Sequence, residues 1–304
     1  MRITDFTVRL SLRKLKDFGV RKSLVICLKD DHDRSGFGEI APISGRSIET
    51  FDETLSIARE MGRRLLNGDS YFPPLSPSLL FGFSSALLDL TEKPTLTSFK
   101  KTHLSFENES PLPGVEHVKI KASSSFEETE NRIREWLNVG AAVRVDLNEK
   151  WDIHETIAFA NRFDKGDLLY IEDPVPFRTL DYFASKTHHP IAIDKTLGIA
   201  PFEMILTKDY VTHLILKPTL IGGKKQCREI AEKAEKMGKQ IVYSSTYEGA
   251  IGLSHVVRMG GSQPFGVDTL KRFEDFRFPE EDLFEQGELC DYLSYFECMQ
   301  NIPQ

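Results

Sequence analysis

Apolar and polar positions divide the chain into two unlike parts. Over residues 1–50, apolar and charged residues alternate in VRLSLRKL and KSLVICLKDD, and DDHDRSGFGE supplies turn residues between strands. This is the pattern of antiparallel β structure. In IETFDETLSIAREMGRRLL the spacing becomes helical, with acids early and arginines late, an order that complements the helix macrodipole. PPLSPS interrupts it, and SLLFGFSSALLDL reads as a second, largely buried helix. The pattern predicts an α+β unit over residues 1–95.

From Val118 onward, short apolar runs alternate with amphipathic stretches. The runs are VKIKA (118–122), VRVDL (143–147), LLYIE (168–172), PIAID (190–194), HLILK (213–217), QIVYS (240–244) and PFGVD (264–268). FEETENRIREWL and KKQCREIAEKAEKMG are the clearest helices between them. Strands with helical crossovers in series predict an α/β fold, a parallel (β/α) barrel over residues 96–275. THLSF (102–106) is the candidate first strand. The link after it, ENESPLPGVEH, is short for a parallel crossover, so an irregular or partly open barrel is expected there. The tail, 276–304, is acidic, then aromatic, and is expected to pack back on the N-terminal unit and complete it.

Side-chain parity gives the barrel its chemistry. Lys121, Asp146, Glu172, Asp194, Lys217 and Ser244 end successive strands, at intervals of 25, 26, 22, 23 and 27 residues, about one βα unit each. C-terminal strand ends open on one face of such a barrel, where active sites sit. Lys119 shares a strand face with Lys121, as Arg144 does with Asp146 and, if the strand persists, with Asn148. Charges pointing inward need partners or a ligand. Three carboxylates converging on one point repel one another, and a hard divalent cation relieves that repulsion; oxygen ligation suits Mg²⁺, with Mn²⁺ as the substitute. Asp146, Glu172 and Asp194 are the expected ligands. One such acid alone would as readily cap the next helix. A lysine beside a metal and a second lysine can serve as a neutral base. Arg144 reads as structural, and Asn148 as orienting a ligand or a metal-bound water. Glu248 is ambiguous between loop structure and the barrel mouth.

Composition narrows the partners. The chain has 304 residues, 40% hydrophobic and 28% charged, with net charge −7. A weakly acidic chain without a basic cluster is a poor match for nucleic acid or an anionic membrane, and no apolar run approaches a bilayer span. The alternating N-terminus lacks the apolar core of a signal peptide, and Cys27, Cys227, Cys290 and Cys298 are scattered, so a cytoplasmic location is expected. The oligomeric state is left open.

In order along the chain, K-I-K, R-V-D-L-N, Y-I-E-D-P, A-I-D, L-K-P-T-L-I-G-G and S-S-T-Y-E-G-A-I-G resemble the enolase superfamily, as do GFGEIAPISGRSIET and GVDTL. Within it the chain is most similar to the dehydratases of menaquinone biosynthesis. The resemblance implies a modified (β/α)7β TIM-like barrel under an α+β capping domain built from both termini. It implies that Lys121 abstracts the proton α to the carboxylate of 2-succinyl-6-hydroxy-2,4-cyclohexadiene-1-carboxylate, and that loss of water gives 2-succinylbenzoate. Mg²⁺ would stabilise the enediolate. Lys217 would face the ring as a cation, while Lys119, Ser244 and Ser245 contact the substrate. Residues 43–46 and 15–20 would close the mouth. Where many relatives have Asp-Glu-Ser, this chain has Asp194-Lys195-Thr196, which puts a cation beside an expected ligand. An N-acylamino acid racemase or dipeptide epimerase on the same scaffold is the nearest alternative, because two opposed lysines can exchange protons on either face. A non-catalytic barrel that binds a small acid is the other.

Overall fold

Alternation in the N-terminal third builds a sheet buried on both faces, with Leu24, Ile26 and Leu28 in one core cluster and Val25, Cys27 and Phe37 in the cluster that holds the barrel core. The computed structural model describes residues 1–16, 19–69, 73–92, 99–106, 109–198, 200–274 and 300–301. Strands β1 (Ile3–Leu15), β2 (Gly19–Asp30) and β3 (Ser35–Ile40) pair antiparallel. Helices α1 (Phe51–Leu66) and α2 (Pro77–Thr91) pack with them around Leu24, Ile26, Leu28, Ile40, Met61 and Phe83. Thr50 and Glu53 form a capping box at the start of α1, satisfying backbone N–H groups that the first turn leaves open. Part of the predicted turn segment is strand: SGFGEI forms β3, and its glycines let α2 approach closely. A Cβ on Gly38 would lie 1.9 Å from the Gly82 carbonyl oxygen.

The second sheet is parallel, in chain order: β4 (His103–Ser105), β5 (His117–Lys121), β6 (Ala142–Asp146), β7 (Leu168–Glu172), β8 (Ile191–Ile193), β9 (Val211–Leu216) and β10 (Gln240–Tyr243). Between β5 and β10 the helical segments are α3 (Phe126–Asn138), α4 (Ile153–Ala160), α5 (Leu180–Lys186), α6 (Phe202–Leu206), α7 (Pro218–Ile221) and α8 (Lys224–Lys236), and α9 (Ala250–Val257) follows β10. THLSF is the first strand, and β4 lies parallel beside β5 despite the short link, which carries no helix among its described residues. The expected last strand, PFGVD, forms only isolated bridges, Ser244 with Gly266 and Lys101 with Phe265. Those bridges close the ring between β10 and β4, aided by the Thr102 N–H donating to the Phe265 carbonyl at 2.8 Å. The fold is a TIM-like barrel with an antiparallel capping domain. Strand β11 (Gln300–Asn301) pairs with β1; the rest of the tail, with Cys290 and Cys298, lies outside the described residues.

Parity holds around the ring. Val118, Ile120, Val143, Val145, Ile171, Ile193, Leu214 and Leu216 belong to the main core shared with the helices. Their alternates Tyr170, Ala192, Ile215 and Val242 pack together as a separate inner cluster. Among the described residues, no helix is long and apolar enough to cross a membrane.

Candidate active site

A cavity of about 110 Å³ opens where the strands end. Lys119, Lys121, Asp146, Asn148, Asp194, Lys217, Ser244 and Ser245 line it; Glu172 and Arg144 do not. Strand register sets the first of these, because Lys121, Asp146 and Glu172 are successive neighbours across β5, β6 and β7. The end of β5 is pinned from behind. Arg132 of α3 donates to the carbonyls of Lys121 and Ser105, and Lys150 donates to that of Ala122 at 2.8 Å.

The carboxylates fall into two groups. Lys119 Nζ lies 3.0 Å from Asp146 Oδ2 and 2.7 Å from Glu172 Oε1. Lys217 Nζ lies 2.6 Å from Asp194 Oδ2, with Arg46 Nη2 at 3.2 Å. The three expected ligands therefore do not converge as closely as their spacing suggested. Among the described residues, the one group of three that brings ligand atoms within 4.8 Å of one another is Asp30, Asp31 and His32. That group is a hairpin turn whose Asp30 is taken up by Arg34 and backbone N–H groups. In the barrel, the chain's own cations divide the acids between them.

Burial sharpens the electrostatics. Glu172 is fully buried; burial and the neighbouring Asp146 push its carboxyl up to about 8, against the pull of Lys119. Burial works the same way on Asp194, but Lys217 and Arg46 outweigh it and hold it at about 2. Lys119 is disfavoured as a cation by burial, yet Asp146 and Glu172 raise its pKa well above the lysine norm. Asp146 Oδ1 and Glu172 Oε2 are buried and accept no hydrogen bond from the described residues. Orphaned buried carboxylate oxygens are costly, and an oxygen-seeking cation satisfies them. With Asp194 beside the same cavity, the donor set fits a hard divalent ion.

Other expected residues settle differently. Strand β6 ends at Asp146, and Asn148 lies beyond it in a left-handed turn (φ 50°), exposed on the cavity. Arg144 lies over the Tyr170 ring at 5.6 Å, below the cavity, and pairs with no ligand carboxylate. Ser244 Oγ donates to the Gly266 carbonyl at 3.0 Å, and Ser245 Oγ lies 2.8 Å from Thr269 Oγ1. Glu248 is fully buried and serves the loop, accepting from Thr219 and Thr246. Lys195 turns away from Asp194 and reaches Glu149 at 3.2 Å.

Several site residues are set by tertiary contacts, and for Arg46 the sequence indicates only that its loop, 43–46, lies at the mouth. Arg46 comes from the capping unit, and its grip on Asp194 crosses 148 residues of chain. Asp173 accepts the backbone N–H groups of Asp194 and Lys195 and so orients that strand end. Tyr247 and Asp268 also line the cavity. GVDTL and S-S-T-Y-E-G stand out as motifs, but no periodicity says which of their side chains turn inward.

A capped βα barrel with lysines and acids at its strand ends defines a class, the enzymes of the enolase superfamily. Residues 111–289 match the family described as Enolase C-terminal domain-like, and residues 4–90 match MenC, N-terminal domain. The o-succinylbenzoate synthase of Escherichia coli O17:K52:H18 is 30% identical over 88% of this chain and 87% of its own. The chain belongs to the enolase superfamily and, within it, to the o-succinylbenzoate synthase family. Two solved structures share the fold. That of o-succinylbenzoate synthase from Thermosynechococcus elongatus BP-1, complexed with Mg in its active site, matches with a TM-score of 0.74 at 20% identity, over 96% of this chain and 99% of its own. The dipeptide epimerase of Enterococcus faecalis V583 matches with a TM-score of 0.71 at 19% identity, over 90% and 92%.

Proposed function

We propose that this chain is an Mg²⁺-dependent o-succinylbenzoate synthase, converting 2-succinyl-6-hydroxy-2,4-cyclohexadiene-1-carboxylate to 2-succinylbenzoate and water. The observation that carries this reading is a single cavity lined by the amines of Lys121 and Lys217 and the carboxylates of Asp146 and Asp194. An enzyme of this family acts on a small carboxylate, and the relatives bearing the name span most of the chain.

Asp146, Glu172 and Asp194 would hold the ion, whose chemistry is to offset the second negative charge that the substrate carboxylate gains as an enediolate. Lys121 Nζ takes the proton from the α-carbon. The same amine, now an ammonium, returns a proton to the departing hydroxyl on that face, so one water leaves and the ring becomes aromatic. Lys217 supplies positive charge toward the anionic ring. Ser244 and Ser245 offer hydroxyls to the substrate, Lys119 contacts it beside Asp146, Arg144 supports from below, and Asn148 orients a ligand or its water. Residues 43–46 of the capping unit, with Arg46 on Asp194, limit water at the mouth. We assign the work to the cytoplasm, where buried thiols such as Cys27 and Cys227 stay reduced.

A specific observation favours a second reading. Lys121 and Lys217 both face the cavity, and the fold also matches a dipeptide epimerase. Assays of the Mg²⁺-loaded protein with the cyclohexadiene acid and with N-succinyl amino acids separate the two. Dehydration is expected to be the faster reaction; racemisation far faster than dehydration would transfer the assignment to a racemase.

A further inference from the structure

The three cavity lysines are held in different ways. Lys119 and Lys217 are each within 3.0 Å of a carboxylate oxygen. Lys121 has no carboxylate within 4.0 Å among the described residues; its side-chain hydrogen-bond partner is the hydroxyl of Tyr247, at 3.5 Å. Lys121 Nζ lies 5.9 Å from the centroid of the same ring.

That difference has chemical meaning. A carboxylate only accepts, so it stabilises an ammonium and opposes its loss of a proton. A phenol hydroxyl accepts from an ammonium and donates to a neutral amine, so it can orient the nitrogen in either state. Such a partner suits a base that takes a proton and returns it. Catalytic hydrogen bonds are often long without substrate and tighten on binding.

Tyr247 is itself held in an unusual way. Its backbone is left-handed, φ 61°, which a residue with a side chain seldom adopts. Arg21, buried in the capping sheet, spans the junction. It donates to the Tyr247 carbonyl at 3.2 Å, the Thr246 carbonyl at 3.3 Å and the Ala41 carbonyl at 2.6 Å, and also to the Pro42 carbonyl. Tyr247 also stands between two spaces, lining both the 110 Å³ cavity and a neighbouring one of about 610 Å³ under the capping loop.

We propose that Tyr247 is a positioning residue for the lysine base: its hydroxyl aims the Lys121 amine into the cavity, and the capping sheet sets the tyrosine through Arg21. The inference rests on the reading of Lys121 as the base. Tyr247→Phe tests it, because the ring stays and only the hydroxyl goes. With saturating Mg²⁺, the variant is expected to lose about tenfold or more in kcat, with KM within about threefold and the melting temperature unchanged. A second readout needs no turnover. Acetylation of Lys121, followed by peptide mass spectrometry at fixed pH, is expected to change in rate by about threefold, while Lys217 in the same sample is unaffected. Wild-type kcat together with unchanged Lys121 labelling would overturn the proposal and leave Tyr247 a wall. If the unaltered protein racemises N-succinyl amino acids instead of dehydrating, the dehydratase reading fails alone, and the same comparison is read on racemisation. If it turns over neither, the labelling result decides for or against Tyr247.

Discussion

Lys121 stands at the last residue of β5 with its amine on the cavity, and a single atom carries its proposed role. Lys121→Ala is expected to reduce turnover by about a thousandfold or more, with folding and metal affinity retained, as circular dichroism and calorimetry will register. Lys217→Ala has a different expected signature. It removes charge opposite the developing anion, costing about a hundredfold in kcat, and it also frees Asp194 from its closest partner. Asp194→Ala is expected to weaken Mg²⁺ binding at least about tenfold by calorimetry; undiminished affinity would remove it from the ligand set. The strand-end residues were readable because parity and one-unit spacing depend on backbone geometry alone. Asp173 and Tyr247 were not, since each reaches the site from a loop whose direction is set by tertiary contacts; for Arg46 the loop 43–46 was legible, but not its contact with Asp194.

The elements were largely visible in the pattern, and where they differ the reason is local. SGFGEI reads as a turn by composition but is a strand, because Gly36 and Gly38 lie under α2, where a side chain would collide with its backbone. PFGVD reads as a strand but makes only bridges, since Asp268 uses its carboxylate to accept the Leu104 N–H at 2.9 Å. The barrel floor holds a feature that periodicity cannot reveal. His213 is buried beside Tyr170, with Nδ1 2.7 Å from Thr212 Oγ1, and burial, reinforced by Arg144, lowers its pKa to about 4. The unfolded chain, with an ordinary histidine near 6.5, binds the proton first as pH falls. Stability from this group is therefore complete above about pH 6.5 and is lost as pH drops toward 4. Urea titrations of wild type and His213→Gln at pH 7.5 and pH 5 are expected to differ in their pH-dependent loss by about 2 kcal/mol, wild type losing more. Equal losses would place the proton elsewhere.

At the scale of the molecule, buried charges from the capping sheet hold the barrel's lid in register with its mouth. Glu39 of β3 accepts from the N–H groups of Gly249 at 2.8 Å and Gly252 at 2.9 Å, so its negative charge sits at the start of α9. Arg21 makes the reciprocal link to the loop before that helix. Arg21→Met would strand several buried carbonyls and is expected to cost about 2–4 kcal/mol by chemical denaturation. Sequence periodicity separated the two parts of the chain but could not show this seam, whose partners lie more than 200 residues apart.

In the proposed reaction the amine of Lys121 removes a carbon-bound proton in a cavity that also holds a divalent ion. The most direct measurement is single-turnover formation of 2-succinylbenzoate from the cyclohexadiene acid by wild-type protein and Lys121→Ala, each with Mg²⁺ and after chelation. Product is expected only from the Mg²⁺-loaded wild type. Near-normal product formation by Lys121→Ala, or by the chelated protein, would contradict that expectation.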